Sequence, residues 1–453
     1  MKKLVLCVVL ATILLVPVSE MKNVVKDGTF KNEWNIKENS NYDLLIISPD
    51  LWKEDLQPLV SHKENHGVKT KLVTLNEIYN GAYFATQGKD DAEKIKYFIK
   101  DAIEQWGIKY VLLIGGEKKL PVRYVNLDDG YGGHRYISDL YYADIYNSEG
   151  EFDDWDSNGN GIFAEWNAMN KDILDLYPDI CVGRLPCRNE EEVSIVVNKI
   201  INYENSHCKE WFRRIVVAGG NTFDDRSLGT DFNEGELITE EALKYMKNFS
   251  STKLWASKGN LRVGNIRRQI NKGAGFVFFS GHSNSWIWIA YPTSRYSMFA
   301  GLLHRTYWAN WNMPTLSNGD KLPIVINGGC ASCQFNLSKE CWGWRFVNKD
   351  NGGSIATIGY TYAAYLGIGD QDNNGIPDCI ECKGGYLNIQ FFKNYGEEGM
   401  DILGEVWEKS IIDYLNKFPI DWSEGITSDS QKDCQIVQKW ILFGDPSLKI
   451  GGY

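Results

Sequence analysis

The chain has 453 residues, 43% of them hydrophobic, and carries a formal net charge of −11. That length suits two or three domains, or one large α/β unit made of two halves, and the apolar content is ample for a core. The acidic balance argues against nucleic-acid binding, which normally requires a basic stripe, and by itself it identifies no other partner.

The N-terminus has the layout of a targeting segment. Lys2 and Lys3 precede the apolar stretch 4–18, which is the order of a secretory signal peptide and is short for a membrane-spanning helix. We predict a signal peptide over 1–19, a short pro-segment or linker over 20–41, and a secreted or cell-surface protein. An uncleaved anchor is the alternative. No later stretch approaches 18 uninterrupted apolar residues, so no other membrane segment is expected.

From residue 42 onward, strand-like and helix-like patterns alternate. In the first half, 42–206, apolar runs of strand length alternate with helical stripes of 3.6-residue period. The predicted strands cover 43–48, 68–73, 109–116 and 179–183, and the predicted helices cover 51–66, 90–106 and 190–204. A looser segment, 126–177, is rich in Gly, Asp, Asn and Tyr.

The second half, 207–453, continues the alternation after a soft boundary near His207. Predicted strands cover 214–220, the vicinity of Leu254, 275–283, 322–330 and 353–359, and predicted helices cover 236–247, 263–272 and 402–418. Alternation of this kind implies an α/β fold with a doubly wound, mostly parallel sheet in two halves.

Two of these predicted strands end in residues that can do chemistry together. The first closes on His282 and the second on Cys330, each behind small glycine spacers. Ligands bind just outside the carboxyl ends of the strands in such sheets. An imidazole and a thiol at that place put a base beside a nucleophile, which thiol-dependent acyl transfer needs. Cys333 is the rival nucleophile, but Cys330 is favoured because two glycines before it permit a tight exit from the strand.

Six short motifs, in the same chain order, carry a family resemblance. They are 110–116 (YVLLIGG), 138–144 (SDLYYAD), 182–186 (VGRLP), 280–282 (SGH), Gly329-Cys330 followed by Phe335, and 442–447 (LFGDPS). In these motifs the chain resembles the gingipain-type cysteine peptidases over about 42–449. The resemblance implies a caspase-like α/β fold.

The resemblance also implies roles for individual residues. Cys330 matches the nucleophile, His282 matches the base that takes its proton, and Asp179 matches an acid that orients the histidine. Backbone N–H groups of Ser283 and Cys330 would form the oxyanion hole. The family usually has glycine where this chain has Ser283, and serine tolerates positive φ less well, so the departure concerns the geometry of that hole.

The function expected from these residues is a secreted cysteine endopeptidase that hydrolyses protein or peptide substrates as a monomer. One alternative is a sorting transpeptidase of the same fold, which would pass the acyl group to an amine. Another is a non-catalytic, calcium-dependent surface interaction protein. Glu192 matches an acid that some relatives place in the specificity pocket. It also lies at a predicted helix start, where the helix dipole favours acids, and that explanation is preferred.

Two loops fit the calcium-binding pattern Asp-x-Asp-x-Asn-Gly-x5-Glu. The expected ligands are Asp154, Asp156, Asn158, Asn160 and Glu165 in loop 1, and Asp370, Asp372, Asn374 and Glu381 in loop 2. Oxygen ligands at alternate positions wrap a hard cation, and the final Glu closes the shell. The alternative is an Asp/Asn/Gly-rich turn without an ion. We expect structural calcium and no organic cofactor.

The chain contains ten cysteines. Cys7 lies in the predicted signal peptide, and if Cys330 is the nucleophile, an even number remains that an exported chain could pair as up to four disulfides. The spacings Cys330-x-x-Cys333 and Cys379-x-x-Cys382 raise a zinc site. A predicted helix and strand separate the two pairs, so zinc is not expected.

Overall fold

A computed structural model describes residues 41–453 apart from five gaps, together with a short hairpin before them. The gaps are 131, 207–209, 224–231, 293–305 and 338–339. The molecule divides into two units, Met1–Ile36 and Lys37–Tyr453. In the first unit, strands β1 (Val24–Lys26) and β2 (Thr29–Lys31) pair in antiparallel fashion. The predicted signal peptide lies outside the described residues. Among the helices that are described, none is long and apolar enough to cross a bilayer.

The second unit is built around a sheet of ten strands. In spatial order they are β10 (Ser250–Trp255), β9 (Arg214–Gly219), β11 (Phe276–Phe279), β15 (Ile324–Asn327), β16 (Ala356–Tyr360), β17 (Trp440–Phe443), β8 (Cys181–Leu185), β5 (Tyr110–Ile114), β3 (Leu44–Ser48) and β4 (Thr70–Thr74).

The sheet consists of two parallel blocks that run in opposite directions. One block is β4, β3, β5, β8 and β17, and the other is β10, β9, β11, β15 and β16. The blocks meet where β16 pairs antiparallel with β17. The carboxyl ends of β11, β15 and β16 therefore lie at the same edge of the sheet as the amino end of β8. We call this edge the site edge.

Helices and loops bury both faces of the sheet. The α-helices of the described residues are α1 (Gln57–Asn65), α2 (Leu75–Tyr79), α3 (Asp91–Trp106), α4 (Glu190–Glu204), α5 (Glu234–Tyr245), α6 (Val263–Asn271), α7 (Trp342–Val347), α8 (Asp378–Glu381), α9 (Lys383–Gly396), α10 (Leu403–Lys417) and α11 (Asp429–Lys439). Along β11, Phe276 and Phe278 pack into one core cluster while Val277 and Phe279 pack into another. Since side chains alternate along a strand, the two clusters lie on opposite faces. This is the α/β architecture that the sequence predicts.

The long helices begin and end where their capping residues stand. The Asp90 side chain accepts a hydrogen bond from the backbone N–H of Glu93, and Gly107 follows α3 with a left-handed φ of 74°. Asn189 caps α4 in the same way through the N–H of Glu192. Such caps satisfy backbone groups that a helix end would otherwise leave without partners. Both helices were predicted within a residue of these bounds.

Smaller sheets connect to the main one. β6 (Tyr124–Asp128) and β7 (Gly133–Ile137) form a hairpin that overlaps the start of the looser segment 126–177, where no strand was predicted. After β11 the chain turns into β12 (His282–Ser283), which pairs with β13 (Ile287–Ala290), and β13 pairs in turn with β14 (Thr306–Ala309). This three-stranded sheet fixes the backbone of His282.

The predicted disulfides are not found among the described residues. All eight cysteines of that part of the chain are free thiols, and all but Cys330 and Cys382 are buried. Cys7 and Cys208 lie outside the described residues. The buried thiols pack as small apolar side chains, a common use of unpaired cysteine.

Candidate active site

The His282 and Cys330 turns are in direct contact at the site edge. They follow β11 and β15, which are parallel neighbours with Phe279 level with Asn327. A Cβ atom added to Gly329 would lie 2.7 Å from the backbone N of Ser283 and 2.7 Å from the backbone O of Gly281. Only glycine permits this approach of the two turns. The sequence prediction that base and nucleophile follow adjacent strands is thus matched by the geometry.

Backbone groups of Ala364 contact the Cys330 thiol, and a backbone hydrogen bond of Ala331 fixes the turn that carries it. The backbone N–H of Ala364 donates to the Cys330 Sγ at 3.3 Å, and the same sulfur lies 3.7 Å from the Ala364 carbonyl oxygen. Ala331 adopts a left-handed φ of 49°, a conformation that non-glycine residues rarely adopt, and its N–H donates to the Tyr362 carbonyl. Cys330 is half-buried. The sharp turn directs a nucleophilic side chain out of the sheet while leaving it accessible.

A main-chain carbonyl orients the His282 ring. The ring Nε2 lies 2.7 Å from the backbone oxygen of Thr222. With the proton on Nε2, that nitrogen donates to the carbonyl and Nδ1 is left as the unprotonated base. The Thr222 N–H in turn donates to the Glu234 carboxylate at 2.9 Å. The ring also packs edge-on against Tyr291, with centroids 5.6 Å apart.

Ser283 links the two turns instead of straining them. It lies in the extended strand β12 and is not among the residues with positive φ. Its hydroxyl donates to the Cys330 carbonyl at 2.6 Å. Ser283 therefore does not need the positive φ that glycine would tolerate better. The assignment of the Ser283 and Cys330 N–H groups to an oxyanion hole stays a prediction.

The structure does not bring Asp179 to His282. Asp179 precedes β8, and four strand-to-strand steps separate β8 from β11, about 19 Å at about 4.8 Å a step. Its carboxylate instead accepts hydrogen bonds from the backbone N–H groups of Ile145 and Tyr146, at 2.8 and 2.9 Å. Burial raises its pKa to about 7. The predicted orienting acid is thus a loop anchor in this structure, and a carbonyl takes its place at the histidine.

Two other sequence assignments can be compared with the structure. Cys333, the rival nucleophile, is fully buried, and burial raises the pKa of its thiol well above the ordinary value. Glu192 lies in α4, beyond the carboxyl end of β8 and so at the opposite edge of the sheet. Its carboxylate accepts from the Arg188 N–H and guanidinium at 2.9 Å, and from the Trp344 indole at 3.3 Å. The Glu192 carboxylate thus bonds at the start of its own helix, where the preferred explanation places it, and the specificity assignment stays a prediction.

The family model of peptidase family C25 matches residues 37–451. The chain belongs to peptidase family C25. This confirms the resemblance that the six sequence motifs carry.

Known family C25 relatives share the fold at low identity. Gingipain R2 of Porphyromonas gingivalis is 21% identical over 433 residues, which cover 92% of this chain and 47% of that protein. Gingipain R1 of the same organism is 21% identical over 430 residues, which cover 92% and 35%. The chain thus spans about half the length, or less, of these relatives. The crystal structure of the Arg-specific cysteine proteinase gingipain R has a TM-score of 0.64 at 17% identity, covering 92% of this chain and 79% of that one.

Loop 2 of this C25 chain gathers oxygen ligands at one point. The carboxylates of Asp370, Asp372 and Asp378 all lie within 4.8 Å of one another. The Asn374 amide lies 3.0 Å from Asp372 and 2.8 Å from Glu381. Asp378, which the pattern match did not include, occupies the ninth position of the loop, where a ligand is common. The donor set fits a hard divalent cation.

Loop 1 is arranged around a side-chain cation. The Lys89 ammonium lies 2.8 Å from Asp154 and 3.3 Å from Asp156. The amides of Asn158 and Asn160 donate to Glu165, and Gly159 has the left-handed φ of 72° that the sharp bend requires. Lys89 is largely exposed and can leave, so a calcium ion would have to displace it from the two aspartates.

Sequence reasoning missed the groups that complete the site. The Thr222 carbonyl and the Ala364 N–H are main-chain groups, so the residue types at these positions do not indicate them.

Proposed function

We propose that the chain is a cysteine endopeptidase in which Cys330 is the nucleophile and His282 the general base. The observation that carries this proposal is the contact between the two turns through Gly329, which brings an accessible thiol and a carbonyl-oriented imidazole to the same edge of the sheet. Family membership supports the same reaction class. Protein or peptide chains are the substrate class, since a peptide carbonyl is what such a pair attacks.

The reaction follows from the two side chains. His282 takes the proton from the Cys330 thiol, and the thiolate attacks the carbonyl carbon of the scissile peptide. The resulting oxyanion requires N–H donors, for which Ser283 and Cys330 are the candidates. The protonated imidazole then gives its proton to the leaving amine, and the C–N bond breaks to leave a thioester. His282 next takes a proton from water, and the hydroxide attacks the thioester carbonyl carbon. The C–S bond breaks to release the carboxylic acid, and the Cys330 thiolate takes the proton back from His282.

Calcium at the two loops is the second part of the proposal. Bound calcium would supply positive charge that offsets carboxylates held close together. Loop 2 fits best, because three carboxylates converge there. Loop 2 also begins six residues after Ala364, whose backbone contacts the Cys330 thiol, so an ordered loop 2 would restrain the chain beside the site.

Secretion is the third part, and it rests on the charged-then-apolar sequence over 2–18 alone. The free thiols of the described residues give it no support, since extracellular domains commonly oxidise their cysteines. A monomeric state stays a prediction.

Labelling with a thiol-directed peptide electrophile tests the proposal. Peptide mass spectrometry should find the label on Cys330 alone, with one label per chain. Cys333→Ser is the matched control, because it changes the neighbouring thiol and should leave labelling and peptide hydrolysis unchanged. Labelling that persists in Cys330→Ala, or hydrolysis that survives that change, would contradict the assignment.

A further inference from the structure

A buried lysine stands behind the nucleophile. Lys439 is the last residue of α11 and directly precedes β17, which pairs with β16. The carboxyl end of β16 leads into the segment that touches Cys330, so the topology brings Lys439 under the site. Its side chain is only 1% exposed, and burying an ammonium is costly unless acceptors surround it.

The Lys439 ammonium has two hydrogen-bond acceptors in the structure. It donates to the backbone oxygen of Ala363 at 2.9 Å and to the Gln435 side chain at 2.5 Å. The rings of Tyr136, Tyr362 and Tyr365 surround it, with their centroids 4.7, 5.4 and 5.2 Å from Nζ. The ammonium is thus held in one place, with its charge turned toward the 363–364 backbone.

One peptide group connects this ammonium to the thiol. The Ala363 carbonyl that accepts from Lys439 belongs to the same peptide unit as the Ala364 N–H, and that N–H donates to the Cys330 Sγ at 3.3 Å. A hydrogen bond to a carbonyl polarises its peptide and makes the N–H a stronger donor. A cation at the oxygen end of this peptide therefore favours negative charge on the sulfur at the other end.

We propose that Lys439 is a positioning residue for the nucleophile, whose ammonium polarises the Ala363–Ala364 peptide and so stabilises the thiolate of Cys330. The proposal rests on the proposed function, in which that thiolate is the attacking species. It adds a second stabilising charge to the one that forms on His282 when the proton is transferred. Because the site edge is only partly exposed, such a charge acts more strongly there than in water.

The surroundings of Lys439 make its charge respond to the thiolate. The titratable groups that face it are Tyr136, Tyr362, Tyr365, Cys330, Cys434 and Asp129. Burial lowers the pKa of Lys439 to about 7, and negative charge on Cys330 or Asp129 opposes that shift. The ammonium and the thiolate therefore favour each other's charged forms.

The competing explanation is that Lys439 only stabilises the C-terminal end of α11. Lysine near a helix C-terminus is favourable in any case, and its loss would then change stability without changing the thiol. The two explanations differ in the pH dependence of Cys330 reactivity, which a purely structural role does not move.

The test measures alkylation of Cys330 by iodoacetamide between pH 5 and 9, with peptide mass spectrometry to separate Cys330 from the other thiols. In Lys439→Met we expect the pH midpoint of alkylation to rise by about one unit, and the rate below the midpoint to fall about tenfold. Lys439→Arg should keep most of the wild-type midpoint, because it keeps the charge. Lys199→Met is the matched control, since Lys199 is another buried lysine with backbone acceptors, at Val347 and Gly352.

A folded Lys439→Met with the wild-type midpoint overturns the proposal, as does an equal shift in Lys199→Met. If Lys439→Met does not fold, Lys439→Gln gives the answer, because it keeps an N–H donor for Ala363 but no charge. An unchanged pH midpoint in Lys439→Gln would also overturn the proposal. Alkylation does not require hydrolysis, so failure of the peptidase function would appear separately, as a reactive Cys330 without cleavage of peptides.

Discussion

At the residue scale, the proposed site is a Cys330–His282 dyad whose two side chains are held by main-chain groups. His282 is oriented by the Thr222 carbonyl and Cys330 is held by the Ala364 N–H. A carbonyl fixes the ring tautomer as a carboxylate does, but it adds no full negative charge to stabilise the imidazolium. Thiol nucleophiles depend less on such a charge than hydroxyls, because the thiolate is accessible near neutral pH.

Loss of either dyad member should remove nearly all activity. We expect Cys330→Ala to lower kcat/KM for peptide hydrolysis by at least about a thousandfold, and His282→Ala to be nearly as damaging. The double variant should be no worse than the more damaging single one, because the two side chains act as one unit. A double variant that loses far more activity than either single variant would show that they act independently.

Asp179 should affect stability and not turnover. Asp179→Asn keeps an oxygen acceptor for the Ile145 and Tyr146 N–H groups, so kcat should stay within about twofold of wild type. The folded-state pKa of Asp179, about 7, exceeds the ordinary value of 3.8, so the folded state binds the proton more tightly between those values. Wild type therefore loses stability, relative to the variant, as pH rises from 4 to 7.

The measurement is denaturant unfolding of both proteins at pH 4, 5.5 and 7. A large loss of kcat in Asp179→Asn, with the same unfolding free energy as wild type at all three pH values, would instead indicate a catalytic role for Asp179.

At the element scale, sequence patterns correctly predicted the strands that are buried along their whole length. Strands β3, β5, β11 and β15 are buried along their full length, and such strands appear in a sequence as continuous apolar runs. Helix α11 was missed for the opposite reason. Its Gln431, Gln435 and Lys439 are buried, so its polar sequence resembles a solvated loop although the helix packs inside the molecule.

The candidate site, like the fold, could be predicted only in part. Its two reactive side chains follow predicted strands and could be named, whereas the groups that hold them could not. Main-chain donors and acceptors do not depend on residue type, so the sequence does not reveal them. The distance of Asp179 from His282 depends on the order of strands in the sheet, because Asp179 precedes β8. That order depends on pairing across long sequence separations, which local patterns do not encode.

The two loops should differ in their response to calcium. In loop 2, removing one of three converging carboxylates weakens the site directly, so Asp372→Ala should abolish most of the calcium-dependent rise in melting temperature. In loop 1, Lys89 already compensates Asp154 and Asp156, so Asp156→Ala should remove a smaller part. At a hundredfold excess over Kd, binding stabilises the fold by about 2.7 kcal/mol.

Thermal unfolding with calcium and with excess chelator measures this, and Asp320→Ala is the control, being an exposed acid outside both loops. Identical melting curves with calcium and with chelator, and no calcium by elemental analysis, would leave both loops as ordinary turns.

At the scale of the whole molecule, buried polar side chains join the two halves of the chain, 42–206 and 207–453. Lys63 of α1 is fully buried and contacts Glu204 of α4 at 2.8 Å and Asp445, after β17, at 2.6 Å. Lys199 of α4 donates to the carbonyl of Val347, the last residue of α7, and to the carbonyl of Gly352, in the turn before β16. The Lys63–Asp445 contact and the Lys199 contacts cross from the first half to the second, so the halves are expected to unfold together.

The Lys199 contact has a pH dependence whose sign can be worked out. Burial lowers the folded-state pKa of Lys199 to about 7, below the ordinary value of 10.5, so the unfolded chain binds the proton more tightly between those values. The wild-type protein therefore gains stability as pH rises from 7 to 9.5, by at most about 1.4 kcal/mol per pH unit. Lys199→Met has no such group, so the difference in unfolding free energy between variant and wild type should move in favour of wild type over that range. Subtracting one protein from the other cancels the titration of the thiols and phenols that both share. A difference that stays constant from pH 7 to 9.5 would mean that Lys199 keeps its proton in the folded state and that its carbonyl contacts hold a full charge between the two halves.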